Sequence, residues 1–433
     1  MDETKNNVRD TVILVGLSSP KLPLRENATD ESMEELAALV ETAGGEVVMK
    51  VLQTLPSPNP RTFIGEGKVA QIAQIVRTSE STMVIFDNEL SPSQMRVLSE
   101  EFKVQVLDRS GLILDIFASR AKTKEGRLQV ELAQYEYLLP RLTGMWTHLE
   151  RQAGTSGKGP IGSKGPGETQ LETDRRHIRR KIDKLKEELD EVRRVRATQR
   201  QRRMKNDVPV VAIVGYTNAG KSTLLNRLTG AGIPANNRLF DTLDTTTRVL
   251  TVSDTLDVVI SDTVGFIRKL PHQLVEAFKA TLEELEYADL LLHVIDCSNE
   301  EWLQQRDTVE ELITELHAET LPRINIYNKA DVAHWDIYPN GKDDILLSAR
   351  TGEGIDRLLK MLDERLDKGT RRVTLHLPYT AAGLLDTLYR EAKVESVEYG
   401  ETVDVVAVCT PRVIGLVKPY IEGWTEPKED WED

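Results

Sequence analysis

Residues 215–222 of this 433-residue chain read G-Y-T-N-A-G-K-S, which matches the phosphate-binding pattern G-x-x-x-x-G-K-S. An apolar run, Val210–Val214, precedes the motif, and a helical pattern, Thr223–Leu228, follows it. Such a strand–loop–helix unit directs backbone N–H groups and the positive end of a helix dipole at phosphate oxygens. Lys221 is expected to reach the β- and γ-phosphates, and the Ser222 hydroxyl to bind Mg²⁺. The predicted nucleotide contacts here are Gly215, Tyr216, Thr217, Asn218, Ala219, Gly220, Lys221, Ser222 and Thr223.

A second motif, D-T-V-G at 262–265, follows the apolar run Val258–Ile260. A carboxylate at the end of a strand beside the loop can hold Mg²⁺ through water, and the N–H of Gly265 can contact the γ-phosphate. Between the two motifs, one threonine is expected to bind Mg²⁺ and sense the γ-phosphate. The F-D-T-L pattern resembles the switch segment of bacterial GTPases, which points to Thr242; Thr245 and Thr246 are alternatives. The predicted catalytic residues are Lys221, Thr242 and Gly265, and the predicted Mg²⁺ ligands are Ser222, Thr242 and Asp262.

Two later motifs predict that the base is guanine. N-K-A-D at 328–331 follows the apolar run 324–327, and S-A-R at 348–350 follows the run 345–347. A carboxylate at Asp331 can accept hydrogen bonds from the N1–H and the exocyclic amine of guanine, and adenine has no such pair of donors. The predicted contacts to the base are Asn328, Lys329, Asp331, Ser348, Ala349 and Arg350. Four motifs in this order resemble the translation-factor class of regulatory GTPases, with residues 208–367 as the G domain.

Two residues bear on the rate of GTP hydrolysis. Phe266 stands directly after the glycine of D-T-V-G, where Ras-like enzymes carry a glutamine that orients the attacking water. Phenylalanine cannot orient water, so intrinsic hydrolysis is expected to be slow, or another group must position the water. Asn218 lies inside the phosphate-binding loop, where several bacterial GTPases use asparagine to help bind K⁺. A turn residue that tolerates unusual dihedral angles is the alternative for Asn218.

Composition favours a soluble, cytoplasmic protein of about three domains, and a monomer is expected. Its two cysteines, Cys297 and Cys409, cannot form a disulfide framework, so a reducing compartment is expected. The charged residues 1–10 contain no apolar signal region, and no apolar run approaches the roughly 18–20 residues of a membrane span. The net charge of −14 argues against general nucleic-acid binding.

One segment departs from this acidic balance. Residues 175–205 contain fourteen Lys and Arg against five Asp and Glu, and the stretch Arg193–Arg203 has no acidic residue. The phosphate backbone of RNA is a plausible partner for this charge, and a solvated helix face is the alternative.

The sequence predicts an α/β multidomain protein. Strand patterns alternate with helical patterns over residues 8–108, which indicates a small parallel α/β domain without a nucleotide fingerprint. The predicted strands there are Val12–Leu17, Glu46–Leu52, Met83–Asp87 and Val104–Leu107, and the predicted helices are Ser32–Thr42, Lys68–Thr78 and Pro92–Phe102. Residues 65–68 (G-E-G-K) lack the spacing of a phosphate loop and are interpreted as a turn into a helix.

Residues 109–207 are predicted to form an antiparallel helical hairpin, followed by the doubly wound, mostly parallel G domain. Leucines and a tyrosine recur at helical spacing from Leu128 to Leu142, and a heptad seam runs from Ile178 to Val192. A dimerising coiled coil is the alternative. The stretch 154–167 between the helices contains six glycines and two lysines, which suits close approach to RNA; a passive linker is the alternative.

Residues 373–433 are predicted to form a small α+β C-terminal domain. Val373–Leu377 and Thr402–Cys409 have strand patterns, and Ala382–Ala392 has a helical pattern. With five basic and twelve acidic residues, this domain is expected to contact protein rather than RNA.

Three segments resemble signatures of the HflX family of ribosome-associated GTPases: 108–117 (D-R-S-G-L-I-L-D-I-F), 128–134 (L-Q-V-E-L-A-Q) and 165–176 (G-P-G-E-T-Q-L-E-T-D-R-R). The runs T-L-D-T-T-T-R at 242–248 and D-T-V-G-F-I at 262–267 also fit, so the resemblance covers roughly residues 10–430. It implies a GTPase that binds the large ribosomal subunit, here through ribosomal RNA contacts at residues 150–205, and splits stalled or idle 70S ribosomes. The alternative function is a GTP-dependent, RNA-binding partner in ribosome assembly or RNA modification.

Overall fold

The computed structural model describes residues 9–142, 166–204, 208–230, 232, 239–240, 246–263, 265–271, 274, 285, 287–334, 339, 341–367 and 369–423. Within these residues the chain forms three β-sheets and the helices that flank them, which confirms the α/β multidomain class. The predictions for Thr242, Thr245 and the stretch 154–165 lie outside the described residues, as do those for the side chains of Thr246 and of residues 196–203.

A four-stranded parallel sheet forms the N-terminal part, in the strand order β2-β1-β3-β4. Its elements are β1 (Thr11–Ser18), α1 (Asp30–Ala43), β2 (Glu46–Thr54), α2 (Glu66–Ser79), β3 (Met83–Phe86), α3 (Pro92–Phe102) and β4 (Gln105–Asp108). The predicted alternation of strands and helices is thereby confirmed, with each boundary within two residues of the prediction. Gly65 is the N-cap of α2, so G-E-G-K is a turn into a helix as expected. The Ser91 side chain caps α3, and Pro92 occupies its first turn.

Three helices follow the N-terminal sheet: α4 (Arg109–Arg120), α5 (Lys124–Leu138) and α6 (Pro166–Met204). The apolar stripe of α5 packs on the heptad seam of α6 within one chain, which confirms the facing stripes and covers the seam that a coiled-coil dimer would need. The buried contacts are Leu128, Leu132, Ile182, Leu185 and Leu189. Because α6 begins at Pro166, the last two residues of the glycine-rich stretch are helical rather than loop.

The third region is a six-stranded sheet in the order β10-β9-β8-β5-β7-β6. Its elements are β5 (Val210–Gly215), α7 (Lys221–Thr229), β6 (Thr246–Ser253), β7 (Leu256–Asp262), β8 (Leu290–Asp296), α8 (Trp302–Glu315), β9 (Arg323–Asn328), β10 (Asp344–Leu346) and α9 (Ile355–Leu366). All neighbours pair in parallel except β6 and β7. Parallel strands place their carboxyl ends at one edge, which is where ligands bind in open α/β sheets.

The C-terminal part is a three-stranded antiparallel sheet in the order β11-β13-β12. Its elements are β11 (Arg371–Leu377), α10 (Gly383–Glu391), β12 (Lys393–Tyr399), β13 (Val403–Cys409) and α11 (Pro411–Val417). Short 3-10 turns lie at Leu24–Glu26, Tyr379–Ala381 and Lys418–Tyr420. The sequence did not predict β12, a largely exposed edge strand. Among the residues that the structure describes, no helix is both long enough and apolar enough to span a membrane.

Candidate functional site: the nucleotide-binding edge of the six-stranded sheet

The phosphate-binding loop joins the end of β5 to the start of α7, and two of its glycines are required by close neighbours. Gly220 has φ +99° and is the N-cap of α7. A Cβ at Gly220 would lie 2.2 Å from Nδ2 of Asn328. A Cβ at Gly215 would lie 2.3 Å from the carbonyl oxygen of Val294 in β8. Real Cβ atoms do not approach so closely, so only glycine lets the backbone turn at these two points.

Lys221 is buried, and its ammonium group is folded onto the loop. Nζ donates hydrogen bonds to the carbonyl oxygens of Gly215 at 3.0 Å and Tyr216 at 2.7 Å. Because an ammonium group has three N–H donors, a third remains to meet a phosphate oxygen. Burial lowers the pKa of Lys221 to about 8, and the nearby Asp262 carboxylate opposes that shift. A bound polyphosphate would supply the negative charge that favours the protonated form.

The oxygen atoms expected around Mg²⁺ lie together. The Ser222 hydroxyl, in the first turn of α7, donates to Oδ2 of Asp262 at 2.7 Å. Asp262 ends β7 and is fully buried. A hydroxyl and a carboxylate beside a triphosphate make an all-oxygen set, which is the chemistry that Mg²⁺ prefers. The residues present therefore fit the ion, which Ser222 would bind directly and Asp262 through water.

Gly265 packs directly against the phosphate-binding loop. A Cβ there would lie 3.1 Å from Nζ of Lys221 and 2.9 Å from Cγ2 of Thr217. The next residue, Phe266, is buried and continues this contact: its N–H donates to the Gly215 carbonyl at 3.2 Å, and its carbonyl accepts from the Thr217 N–H at 2.7 Å. The segment after β7 thus lies beside the lysine that would contact the terminal phosphates.

Asn328 connects the base-binding segments to the phosphate-binding loop. Its Nδ2 donates to the Ala219 carbonyl at 2.8 Å, and its Oδ1 accepts from the Ala349 N–H at 2.9 Å. Ser348 donates to Oδ1 of Asp331 at 2.7 Å. A carboxylate has about four acceptor positions, so this bond orients Asp331 and leaves capacity for the donors of guanine.

The structure therefore brings the predicted contacts of the described loop, strand ends and base-binding turns to one edge of the sheet. Asn218 is exposed with φ +62°, a left-handed conformation that asparagine tolerates. Sequence reasoning missed two supporting residues. Asp296, at the end of β8, accepts from Nζ of Lys329 at 2.7 Å. Arg227, on α7, donates to the Ala349 carbonyl at 3.2 Å and to the Arg350 carbonyl. Asp296 was detectable only as a polar residue that ends an apolar run.

The sheet, the phosphate-binding loop and the base-binding turns define a guanine-nucleotide-binding P-loop GTPase. Family models agree: "GTP-binding GTPase N-terminal" matches residues 30–118, "GTP-binding GTPase Middle Region" matches 120–203, and "50S ribosome-binding GTPase" matches 210–329. The chain is 45% identical to GTPase HflX of Caldanaerobacter subterraneus subsp. tengcongensis over 402 residues, which are 93% of this chain and 91% of the relative. It is 46% identical to GTPase HflX of Escherichia coli K12 over 372 residues, 84% of this chain and 86% of the relative. The chain belongs to the HflX family of GTPases.

Among solved structures, the chain is similar to a GTP-binding protein from the hyperthermophilic archaeon Sulfolobus solfataricus in complex with GDP. The identity is 26%, the TM-score is 0.42, and the match covers 82% of this chain and 98% of that one.

Proposed function

We propose that this GTPase, with Mg²⁺ bound at Ser222 and Asp262, binds the large ribosomal subunit in its GTP state and dissociates 70S ribosomes into subunits. Stalled or stressed ribosomes are the proposed target, in the cytoplasm, and hydrolysis releases a monomeric protein. The observation that carries the proposal is a guanine-nucleotide site joined in one chain to a long basic helix. The model that matches residues 210–329 is described as a 50S ribosome-binding GTPase, which supports the same partner.

The basic helix α6 supports contact with RNA at its carboxyl-terminal half. Its seam side is covered by α5, while the side chains of Lys184 and Arg194 are 75% and 80% exposed. Arg193 and Arg194 are partly balanced, because they pair with Asp190 at 3.2 Å and Glu191 at 3.6 Å. The arginines further along the helix, at positions 196, 200, 202 and 203, have no acidic residue three or four positions before them. They carry the proposed contact with RNA phosphates.

Sedimentation of 70S ribosomes in a sucrose gradient tests the proposal. With the protein and a non-hydrolysable GTP analogue, the 70S peak should fall and the subunit peaks should rise; with GDP the profile should stay close to that without protein. An unchanged 70S peak at saturating protein and analogue would overturn ribosome splitting. Co-sedimentation with precursor particles or free RNA alone would favour the assembly or modification role.

A change of nucleotide specificity provides the matched control. The Asp331→Asn variant is expected to prefer xanthosine nucleotides over guanosine nucleotides, since it exchanges an acceptor for a donor at the base. Subunit splitting by this variant should therefore require a xanthosine triphosphate analogue and fail with the GTP analogue. Splitting by the variant under both conditions would mean that the ribosome responds to the protein and not to its nucleotide state.

Deletion of residues 157–164 separates binding from splitting. The deletion removes two lysines and leaves the basic residues of α6, so most of the electrostatic attraction is retained. The shortened protein should bind ribosomes with the analogue and split them poorly. If it splits as well as the full chain, the glycine-rich stretch is a passive linker.

A further inference from the structure

A cluster of charged and polar side chains, three buried and two half-buried, lies where the N-terminal sheet meets the phosphate-binding loop. It consists of Glu35 on α1, Asp87 directly after β3, Arg109 at the start of α4, Tyr216 in the loop and Lys269 four residues after Gly265. We refer to these five residues as the polar cluster. Three come from the N-terminal part of the chain and two from the nucleotide-binding part.

Hydrogen bonds join all five members. Arg109 is 1% exposed, and its NH1 donates to Oδ1 of Asp87 at 2.8 Å, while its NH2 donates to Glu35. Lys269 donates to the other oxygen of Asp87, and the Tyr216 hydroxyl donates to the other oxygen of Glu35. Each carboxylate therefore accepts from Arg109 and from one residue of the nucleotide-binding part, and Asp87 also accepts from the Ser32 hydroxyl at 2.9 Å.

The charges of the cluster balance one another. Burial acts to raise the pKa of Asp87, but the cations of Arg109 and Lys269 outweigh it and lower that pKa, so the carboxylate stays ionised. Burial and the Glu35 carboxylate raise the pKa of Tyr216, so its hydroxyl stays protonated and keeps its role as donor. A buried group of this kind is costly when one partner is removed, because the remaining charge is left uncompensated.

Tyr216 connects this cluster to the nucleotide site by two further bonds. Its hydroxyl accepts from the backbone N–H of Arg268 at 3.0 Å, within the segment that follows Gly265. Its backbone carbonyl accepts from Nζ of Lys221 at 2.7 Å. One residue of the loop thus contacts the phosphate-binding lysine, the segment that faces the γ-phosphate and helix α1.

The segment that precedes Thr242 is also held by the N-terminal part of the chain. Phe240 is buried and packs edge-on against Phe117 of α4, with 4.6 Å between ring centroids and an interplanar angle of 78°. The same apolar core continues from Ile113 and Phe117 to Phe266 and Ile267. N-terminal side chains therefore touch the residues next to each of the two segments that are expected to respond to the γ-phosphate.

We infer that Tyr216 and Lys269 are positioning residues that link the guanine nucleotide to the seating of α1 and α4 on the nucleotide-binding sheet, through Glu35, Asp87 and Arg109. Movement of residues 265–269 on gain or loss of the γ-phosphate changes the bonds that Tyr216 and Lys269 make. The N-terminal part, with its ribosome-binding helix, then changes its packing position on the nucleotide-binding sheet. This inference rests on the GTP-dependent part of the proposed function. Linkage is reciprocal, so an N-terminal residue that never touches the nucleotide must alter the relative affinities for GTP and GDP.

The Glu35→Gln variant tests this linkage, with Glu34→Gln as its matched control. Glu34 is the neighbouring residue on α1, its side chain is 72% exposed, and it pairs with Lys50 at 2.6 Å, away from the cluster. The measurement is the affinity of the full chain for GDP and for a non-hydrolysable GTP analogue, by calorimetry. Glu35→Gln should change the ratio of the two affinities about fivefold or more, which is the lower end of typical coupling between sites. Glu34→Gln should leave the ratio unchanged.

An unchanged ratio in a folded Glu35→Gln protein would overturn the inference. If that variant fails to fold, Tyr216→Phe replaces it, since this change removes only the hydroxyl and keeps the carbonyl that holds Lys221. Where both variants fold, their double variant should change the ratio by less than the sum of the two single effects, because both variants disturb the bond between Tyr216 and Glu35. Fully additive effects would contradict the pairing of Tyr216 with Glu35.

Hydrogen exchange distinguishes a bond that responds to the nucleotide from a bond that only stabilises the fold. Amide exchange in α1 should differ between the GDP and analogue complexes of the wild-type chain, and Tyr216→Phe should reduce that difference. Equal exchange in the two wild-type complexes would overturn the inference. Ribosome sedimentation is a separate measurement. Normal splitting with an unchanged affinity ratio would reject the linkage alone, and absence of splitting with a changed ratio would reject the proposed function alone.

Discussion

Asp331→Asn should convert the preference of the site from guanosine to xanthosine nucleotides. In the structure Oδ1 of Asp331 accepts from Ser348 at 2.7 Å, which fixes the orientation of the side chain. The asparagine oxygen is expected to keep that bond, because Ser348 is a donor and needs an acceptor. The asparagine amine then faces the donors of guanine, whereas xanthine offers a carbonyl oxygen in place of the exocyclic amine.

The magnitude follows from the bonds that change. A hydrogen bond to a charged group contributes about 1.5–3 kcal/mol, and the substitution weakens one such bond and replaces another by two opposed donors. We therefore expect a loss of about 3–4 kcal/mol of GTP binding free energy, which is roughly 150- to 1,000-fold in Kd. Xanthosine triphosphate should gain a comparable amount relative to its weak binding to the wild-type protein.

Titration calorimetry with GDP, a GTP analogue and their xanthosine counterparts measures these changes. Asp344→Asn is the matched control, since Asp344 is the first residue of β10 and bonds to Asn325 at 2.8 Å rather than to the base-binding turn. That variant should bind GTP as the wild type does. GTP affinity within threefold of wild type in a folded Asp331→Asn protein would refute the assignment of Asp331 to guanine recognition.

Three further predictions concern phosphate, water and RNA. Burial lowers the pKa of Lys221 to about 8, and bound phosphate favours its protonated form. GTP affinity should therefore be highest below pH 8 and fall as the pH rises from 8 to 9. Calorimetry that shows no change in affinity over pH 7–9 would contradict this prediction. Phe266→Ala should lower the thermal midpoint by creating a cavity, yet leave single-turnover hydrolysis at saturating GTP within about threefold, since phenylalanine cannot orient water. A fast basal rate without ribosomes or K⁺ would oppose the argument. Replacing Arg200, Arg202 and Arg203 by glutamine should weaken ribosome binding and flatten its log–log salt slope by about 0.7–0.9 per lost contact, with GTP binding unchanged. If this triple variant binds ribosomes with wild-type affinity and salt slope, the arginines of α6 form only a solvated helix face.

The sequence predicted much of the fold because its apolar runs and caps are local signals. Each N-terminal strand and helix follows from periodicity over a few residues, and Ser91 with Pro92 marks the start of α3. Strand β12 was missed because its residues, K-V-E-S-V-E-Y, are largely exposed and alternate irregularly, with a shift in register between Val394 and Ser396. An edge strand of this kind takes its structure from its neighbour rather than from its own pattern.

The sequence motifs identified the residues that line the candidate site, but they did not reveal the contacts among side chains that support it. The loop and the base-binding motifs have fixed spacings that chemistry imposes. The polar cluster joins side chains up to 182 positions apart, and no spacing in one sequence indicates such a contact. The pairing of Arg193 with Asp190 and of Arg194 with Glu191 was detectable, since residues three apart share a helix face. The lack of acidic residues within 193–203 therefore overstated the unbalanced charge at those two arginines.

Asp108 and Arg109, the first two residues of the signature segment 108–117, have a structural role that the sequence alone does not show. Asp108 ends β4, caps α4 by accepting from the Gly111 N–H at 2.9 Å, and accepts from the Tyr137 hydroxyl at 2.7 Å. Because that cap fixes the start of α4, the next side chain, Arg109, points into the polar cluster and bonds to Asp87 at 2.8 Å. Asp108 therefore positions the start of α4, and Arg109 is placed by that start within reach of Asp87.

The fixed and the variable positions of the phosphate-binding loop have different tasks. Gly215, Gly220 and Lys221 are the positions that the phosphate-binding motif fixes, and close contacts with the Val294 carbonyl and the Asn328 side chain leave no room for a side chain at the two glycines. Tyr216 occupies a position at which the motif accepts any residue, yet its hydroxyl is bonded to both Glu35 and the Arg268 N–H. A smaller side chain at 216 would preserve the phosphate chemistry and lose both bonds. The chemistry of the motif is therefore compatible with many residues at this position, and the tyrosine hydroxyl supplies the contact with the N-terminal part of the chain.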